Sequence, residues 1–493
     1  MACGVLSVWC LSCAARPTVV SPPAPAVSAA ELATADALVN EGCYRCLLEA
    51  HHIYEKGARR EELFETALLL AFREKELGLD AAPWVEKARP LATPETSTYL
   101  DIVSAIAWIP AVSAPDFEPP ARPPAAVIDD WLAWLRTSPT ALNRYAELAL
   151  LCSGRGGNAP RDFDADRPLL QYRLGICGLA QRAQLDSAFA ASPRFAESGF
   201  FLARYEMTNS GYAGAQVTRA LPLLLAAHEA IPESPTITVT LAAVWSGRKE
   251  YARALALYDE VLAVRPEQRD ALLGRATVLT YLGRPEDAMA SATRMIELGT
   301  WYLGDAYYWR GWNRYGTGQL EAAASDVAEA RRYRAGSDLL TLAGMIAYDQ
   351  QRREDAHRDF TQALRTNPEN CPARWYLGLM EVDERDWPNG LREFSDATSC
   401  YRAAVSAIEA ETDAPDLSPE ALAQQQEDRA RRLADSQRQV ARSALNAALL
   451  ALQVNDTNTA AGFAQVAATH ELTKERAEGV LRRAGVNPPA ASP

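Results

Sequence analysis

The sequence predicts an all-α fold, a right-handed α-solenoid of helix-turn-helix units, and three observations carry that prediction. Alanine is abundant whereas Val, Ile and Thr are sparse outside a few stretches, which favours helix over sheet on intrinsic propensity. Apolar residues recur at helical spacing in long segments closed by proline or glycine. Residues also return at a fixed period of 34, the mark of a repeat array. Such an array accommodates 493 residues that are 48% hydrophobic and 23% charged, a folded composition on a chain too long for one ordinary core. Few or no strands are expected.

The period rests on independent registers. Ala220, Ala254, Ala288, Ala322 and Ala356 lie 34 residues apart, and Gly390 continues them with another small residue. Pro232, Pro266 and Pro368 fall on a second register, with Thr300 and Arg334 filling the gaps. Gly344 and Gly378, Phe360 and Phe394, and Ala363 and Ala397 repeat between one adjacent pair of units. Between Ala276 and Gly311 the first-helix register slips by one residue, which the turn at Leu298, Gly299 and Thr300 is expected to absorb.

These positions resemble the tetratricopeptide repeat. In that family a small residue of the first helix lets the second pack closely, an aromatic and a small residue of the second helix fill the interface with the next unit, and a proline closes the unit. Ser337 to Pro368 is the clearest unit here, with Gly344, Ala356, Phe360, Ala363 and Pro368 at those places. The next keeps Leu377, Gly378, Phe394 and Ala397 without the closing proline, and an earlier one keeps Ala242, Ala254, Tyr258 and Pro266. The resemblance spans Glu197 to Cys400 and implies five to six recognisable repeats.

The chain divides accordingly. Residues 1–30 read as a lipobox-like segment and a disordered Pro-rich tether, 31–196 as irregular helical pairs with a Pro-rich loop at 110–124, 197–400 as repeats, and 401–493 as a long helix and a helical cap. Upstream, Gly42 to Leu79 reads as one helix pair and Pro168 to Met207 as another; STYLDIVSAIAWI, from Ser97, is an apolar segment to be buried against the solenoid. Downstream, Ser418-Pro419-Glu420 opens a long helix with the stripe Leu422, Leu433, Val440, Leu445 and Leu449.

No convergent catalytic set emerges, so the chain is not expected to be an enzyme, and neither a cofactor nor a metal is implied. Five histidines are scattered, and the adjacent His51 and His52 point to different faces of a helix. The Cys43-Tyr44-Arg45-Cys46 motif lies between helices, not in the strand-to-helix setting of a redox motif, and has no second cysteine pair for zinc. Two packing residues are the plainer reading of it, a disulfide the other. Cys371 and Cys400 stand at the start of one helix and the end of its antiparallel partner, so a disulfide closing a loop of ~30 residues, worth on the order of 3 kcal/mol, is one reading and two buried thiols the other. A disulfide there would imply an oxidising compartment.

The stretch before Cys13 is short and apolar with a small residue at Ser12, and a Pro-rich tract follows, an arrangement that resembles the processing site of a bacterial lipoprotein with Cys13 as the lipidated residue. The run lacks a basic start, and Leu11 and Cys10 depart from the pattern, so an unstructured cytosolic tail remains the alternative. A cell-envelope location, lipid-anchored and periplasm-facing, is expected ahead of the cytoplasm. A net charge of −13 without an isolated Lys/Arg cluster argues against nucleic acid as a partner.

A protein or peptide partner is therefore expected, in the concave groove that first helices line in this family. By the registers of Gly311, Gly344 and Gly378, the candidate groove residues are Tyr308, Trp312 and Tyr315, then Asp338, Met345 and Tyr348, then Trp375. Aromatic groups of this kind mark binding hot spots; Tyr307, Trp309 and Tyr376 read instead as packing between helices. The Lys, Arg and Asn set of the family's carboxylate clamp does not fall on these registers. The expected role is a non-catalytic interaction or assembly module. The alternatives are a cytosolic scaffold and a non-catalytic subunit that positions an enzyme partner.

Overall fold

Ser28 opens the first helix with a capping box, its hydroxyl accepting from the Glu31 N–H while Glu31 accepts from the Ser28 N–H at 2.8 Å. The computed structural model describes residues 27–106, 123–152, 165–177, 182–192, 194–208, 215–299, 302–412 and 419–487. Cys13, the tether and most of the expected 110–124 loop lie outside these. Among the described residues the chain forms α-helices and no strands. The first eleven are α1 (Ala29–Glu41), α2 (Tyr44–Lys56), α3 (Arg60–Glu76), α4 (Ala82–Ala88), α5 (Thr98–Ala105), α6 (Ala125–Leu135), α7 (Ala141–Cys152), α8 (Pro168–Gly175), α9 (Arg182–Ala191), α10 (Ala196–Thr208) and α11 (Ala215–Ala230). The segment from Pro168 to Met207 thus makes three helices where a pair was expected. Its first is only eight residues long and ends beside Cys177, which a disulfide ties back to Cys152.

Regular repeats follow. First helices α12 (Pro235–Gly247), α14 (Arg269–Tyr281), α16 (Leu303–Gly316), α18 (Ser337–Asp349) and α20 (Cys371–Asp383) begin 34 residues apart. Second helices are α13 (Tyr251–Val264), α15 (Pro285–Leu298), α17 (Leu320–Ala330), α19 (Arg353–Thr366) and α21 (Trp387–Glu409). One device joins the two helices of every unit. Lys249, Gly283, Gly318, Gln351 and Arg385 each take a left-handed φ between 60° and 78°, and each turn closes with the paired backbone bonds of a Schellman motif, as in Gln351 N–H to Tyr348 O at 3.0 Å and Arg352 N–H to Ala347 O at 2.8 Å.

The expected slip is present; Thr300, in the turn expected to absorb it, lies outside the described residues. α14 and α16 start in register, and the extra residue lies within α16, whose turn falls at Gly318; α17 is short and returns the frame. As a result Ala323, not Ala322 of the 34-residue register, is the fully buried small residue of α17. The other small positions pack as the resemblance implies: Gly344 lies against the buried Phe360 ring and Gly378 against Phe394.

The N-terminal helices share one continuous core with the first repeats, from Ala35 to Val278. Within it Arg73, fully buried, donates to the Gly42 carbonyl at 2.9 Å and pairs with Glu197, while its guanidinium lies 3.7 Å from the Tyr172 ring centroid. Tyr145 donates to both Glu76 oxygens at 2.8 Å. Such a pair offsets its desolvation only through this geometry. α5 buries Tyr99, Leu100, Ile102 and Val103, as expected of the apolar segment. The N-terminal block is tied to the repeats by Ser234, which caps α12 and donates to the Leu77 carbonyl at 2.6 Å, and by Arg265 on the Gly78 carbonyl at 2.8 Å.

The C-terminal part departs from the repeat. α21 runs for 23 residues where the other second helices have 11 to 14. It is followed by α22 (Pro419–Gln453), α23 (Thr457–Ala467) and α24 (Glu471–Arg483). Alanines 444, 447, 448, 451, 460, 464, 467 and 477 are fully buried, so small side chains bring these three helices close together. No described helix is long and apolar enough to cross a membrane.

Candidate peptide-binding groove

The first-helix faces of the first two repeats enclose an open groove of about 620 Å³. α12 lines it with Val239, Ala243 and Ser246, α14 with Asp270, Leu273, Thr277 and Tyr281. Small and aliphatic side chains make its floor, with the Asp270 carboxylate and the Lys249 ammonium among the polar groups that line it. Tyr251 stacks on Tyr281, ring centroids 4.9 Å apart and nearly parallel, and Tyr281 is 48% exposed. The rings continue into the third unit, where Trp309 meets Tyr281 edge-on at 6.0 Å.

The candidates read from the sequence fall into two groups. Trp312 is exposed. Tyr308, 6.2 Å from it, is only 7% exposed, lying under the Arg334 guanidinium at 4.7 Å and against Trp309; burial, with Asp338 adding to it, pushes its phenol well above the ordinary range. Tyr308 is thus a packing residue rather than an open groove residue, because Arg334, in the stretch between α17 and α18, lies over its ring. Asp338 holds that arginine at 2.6 Å. In the second group, Tyr315 donates to Asp349 at 2.9 Å and its hydroxyl lies 3.5 Å from that of Tyr376. Tyr348 is half-buried with its ring against Tyr376, and Met345 packs on the cluster of Ala347, Phe360 and Leu377. Trp375 is covered by the C-terminal helix: Arg442 lies 5.0 Å over its ring, and it packs with Phe394, Ala447 and Leu450. Tyr376, stacked on Phe360 at 5.1 Å, packs between helices as expected, and so does Trp309.

The aromatic run that singles out Tyr308 and its neighbours begins beyond the groove of the first two repeats. The signal was present, since Tyr281 lies 34 residues before Tyr315 on the same register.

Cysteine geometry is specific. Cys371 and Cys400 are bonded with Cα atoms 5.6 Å apart, joining the start of α20 to α21. Cys43 and Cys46 are likewise joined, so they are not two independent packing residues. With the Glu41 carboxylate they form a group compact enough for a metal ion, but a disulfide leaves no thiolate to ligate one. His51 is buried, with Nδ1 2.8 Å from the Thr66 hydroxyl and its ring against Trp84, whereas His52 faces solvent.

The tetratricopeptide repeat family matches the sequence over residues 246–300 and 341–404. The two matched segments are tetratricopeptide repeats. The first segment runs from the end of α12 through α15 and the second from within α18 into α21, and the slipped unit containing α16 and α17 lies between them. Tetratricopeptide repeats of this kind build protein–protein interaction modules. Solved structures similar to the chain include pilF of Pseudomonas aeruginosa, 16% identical with a TM-score of 0.38, covering 50% of this chain and 98% of its own. PilW, a type IV pilus biogenesis factor, is 17% identical with a TM-score of 0.37, covering 43% of this chain and 98% of its own. YrrB, described as a protein with an unusual peptide-binding site, is 19% identical with a TM-score of 0.30, covering 38% and 96%. No curated protein matches the sequence.

Proposed function

We propose that the chain is a non-catalytic binding or assembly module that holds an extended segment of a protein partner along the concave face of its tetratricopeptide repeats, tethered at the cell envelope through Cys13. The observation that carries the binding reading is the open groove over α12 and α14, lined by small and aliphatic groups together with tyrosines that include the half-exposed Tyr281, while the exposed Trp312 lies in the next unit. Rings in such a setting bury large area at low entropic cost, and a peptide backbone meets polar partners in Asp270, Ser246 and Thr277. Three disulfides, one at the start of α2, one joining the end of α7 to the residues after α8 and one across the last repeat, support the envelope reading, since such bonds persist in oxidising compartments.

The test is capture of partners from cells by the full-length chain and by a Tyr281→Ala, Trp312→Ala variant, with Tyr308→Ala as a packing control. Loss of one specific protein in the double variant is the expected result; an unchanged set of captured proteins would place binding elsewhere. Metabolic labelling with a lipid precursor tests the tether. Absence of label on Cys13 would favour the cytosolic scaffold.

A further inference from the structure

Arginines brace successive second helices against each other, and one unit lacks its brace. In the second unit Arg275 of α14 donates to Asp259 of α13 and to the Ser291 hydroxyl of α15, each at 2.7 Å. In the third, Arg310 of α16 donates to the Thr293 hydroxyl of α15 at 3.3 Å and to Asp326 of α17 at 2.7 Å. Each brace therefore joins the ninth residue of one second helix to the seventh of the next, and the first helix between them supplies the guanidinium. In the fourth unit those places hold Ala328 of α17 and Asp359 of α19, and Ala343 of α18 stands two periods of 34 after Arg275. The acid is kept, but the first helix offers no arginine.

A cavity of about 710 Å³ lies at that place, lined by Ala328, Ala343 and Asp359, with Ala324, Val327 and Ile346 as further apolar wall. Small residues open it: α15 and α19 carry Met289 and His357 where α17 has Ala324, and Thr293 and Thr361 where it has Ala328. Asp359 is only 5% exposed. Its Oδ2 accepts from Arg331 at 2.5 Å, but its Oδ1 meets the Arg358 Nε at 3.5 Å, too far for a good hydrogen bond. Asp326, with its brace in place, accepts from Arg310 at both oxygens, at 3.0 and 2.7 Å, and from Arg314 at 2.7 Å.

We propose that this cavity is a second binding site, independent of the concave groove, which receives an arginine side chain of a partner protein. The guanidinium takes the place of the missing brace against Asp359, and the methylene stem lies on the alanine wall. The charges favour a cation. Arg352 and Arg358, which also line the cavity, are already held by Asp355 at 2.8 and 2.7 Å, and Arg331 is held by Asp359 itself. An acidic ligand has to compete with those carboxylates, and it also meets Glu321 and Asp349 in the lining. A guanidinium instead finds the under-used Oδ1 of a buried carboxylate, where a charge-assisted bond is strong. The site shares no lining residue with the groove over α12 and α14.

The experiment uses the full-length chain and capped alanine pentapeptides with arginine, citrulline or glutamate at the centre; citrulline keeps the shape of arginine without its charge. Binding is read by saturation-transfer NMR on the peptides, and folding by the thermal midpoint. Saturable binding of the arginine peptide is expected, with the citrulline peptide about tenfold weaker. Asp359→Asn is expected to weaken the arginine peptide about tenfold. Ala343→Arg supplies the brace from within, so it is expected to abolish binding without lowering the midpoint, as the second and third units hold the same brace. Tyr281→Ala, in the groove, is expected to leave binding unchanged. Absent binding, equal binding of the arginine and citrulline peptides, full binding by Asp359→Asn, or loss of binding in Tyr281→Ala would each overturn the proposal. So would a lowered midpoint in Ala343→Arg, which would mean that the cavity takes no arginine, and a preference for the glutamate peptide, which would assign the cavity to Arg331, Arg352 and Arg358.

Discussion

At Lys249, Gln351 and Arg385 a side-chain-bearing residue holds the left-handed conformation that Gly283 and Gly318 hold without strain. The turn is imposed by the closing backbone bonds that end each first helix, so these residues carry a conformational cost of about 1 kcal/mol each. Gln351→Gly is expected to stabilise the chain by roughly 0.5–1 kcal/mol in urea denaturation, the reverse of the usual effect of glycine near a helix. The turn residue was invisible to register counting because its chemistry varies from Lys to Gly to Gln to Arg while its backbone does not. Tyr308 illustrates a complementary difficulty: spacing puts it on the first-helix face, and only the fold reveals that Arg334 closes over it.

Helices differ here mainly in what fixes their ends. The Cys371 and Cys400 bond closes a loop of about 30 residues, so Cys371→Ser with Cys400→Ser is expected to lower stability by about 3–4 kcal/mol, read by denaturant titration under non-reducing conditions. The Glu411 ion pairs titrate instead. Hydrogen bonding from Arg432, then from Lys249, draws the Glu411 carboxyl down from 4.5 to about 2. A depressed folded value means that these ion pairs contribute their full stability above pH 4.5 and lose it as pH falls toward 2. Exchange in 401–412 and 419–436 is therefore expected to accelerate over that window in the parent chain, and E411K should show no such step.

Across the whole molecule, two kinds of cohesion meet. Residues from Ala35 to Val278 share one core, held by the buried Arg73 and Glu197 pair, whereas the later repeats are joined by small clusters between neighbouring units. A Cβ added at Gly344 would lie 2.7 Å from the Phe360 ring. Gly344→Ala is therefore expected to cost about 1–3 kcal/mol, and in a quasi-one-dimensional array the loss stays local. Faster hydrogen exchange should be confined to α18 through α21, with residues 35–278 unaffected; a chain-wide increase would mean that the two parts unfold as one.

The sequence by itself determined the all-helical solenoid, its 34-residue unit, the small residues that let Phe360 and Phe394 pack, and the long helix from Pro419. These follow from local propensity and from contacts between neighbouring units, which a fixed spacing records. Tertiary structure decided the rest. The frame shift falls inside α16, and burial moves from Ala322 to Ala323, because a helix can lengthen by one residue while its neighbours keep their places. Trp375 is covered because the later part of α22 packs on it, and the groove lies instead over Val239 to Tyr281. The C-terminal helices meet the first repeat through groups far apart in the chain, such as Lys249 and Glu411, and no periodicity encodes that pair.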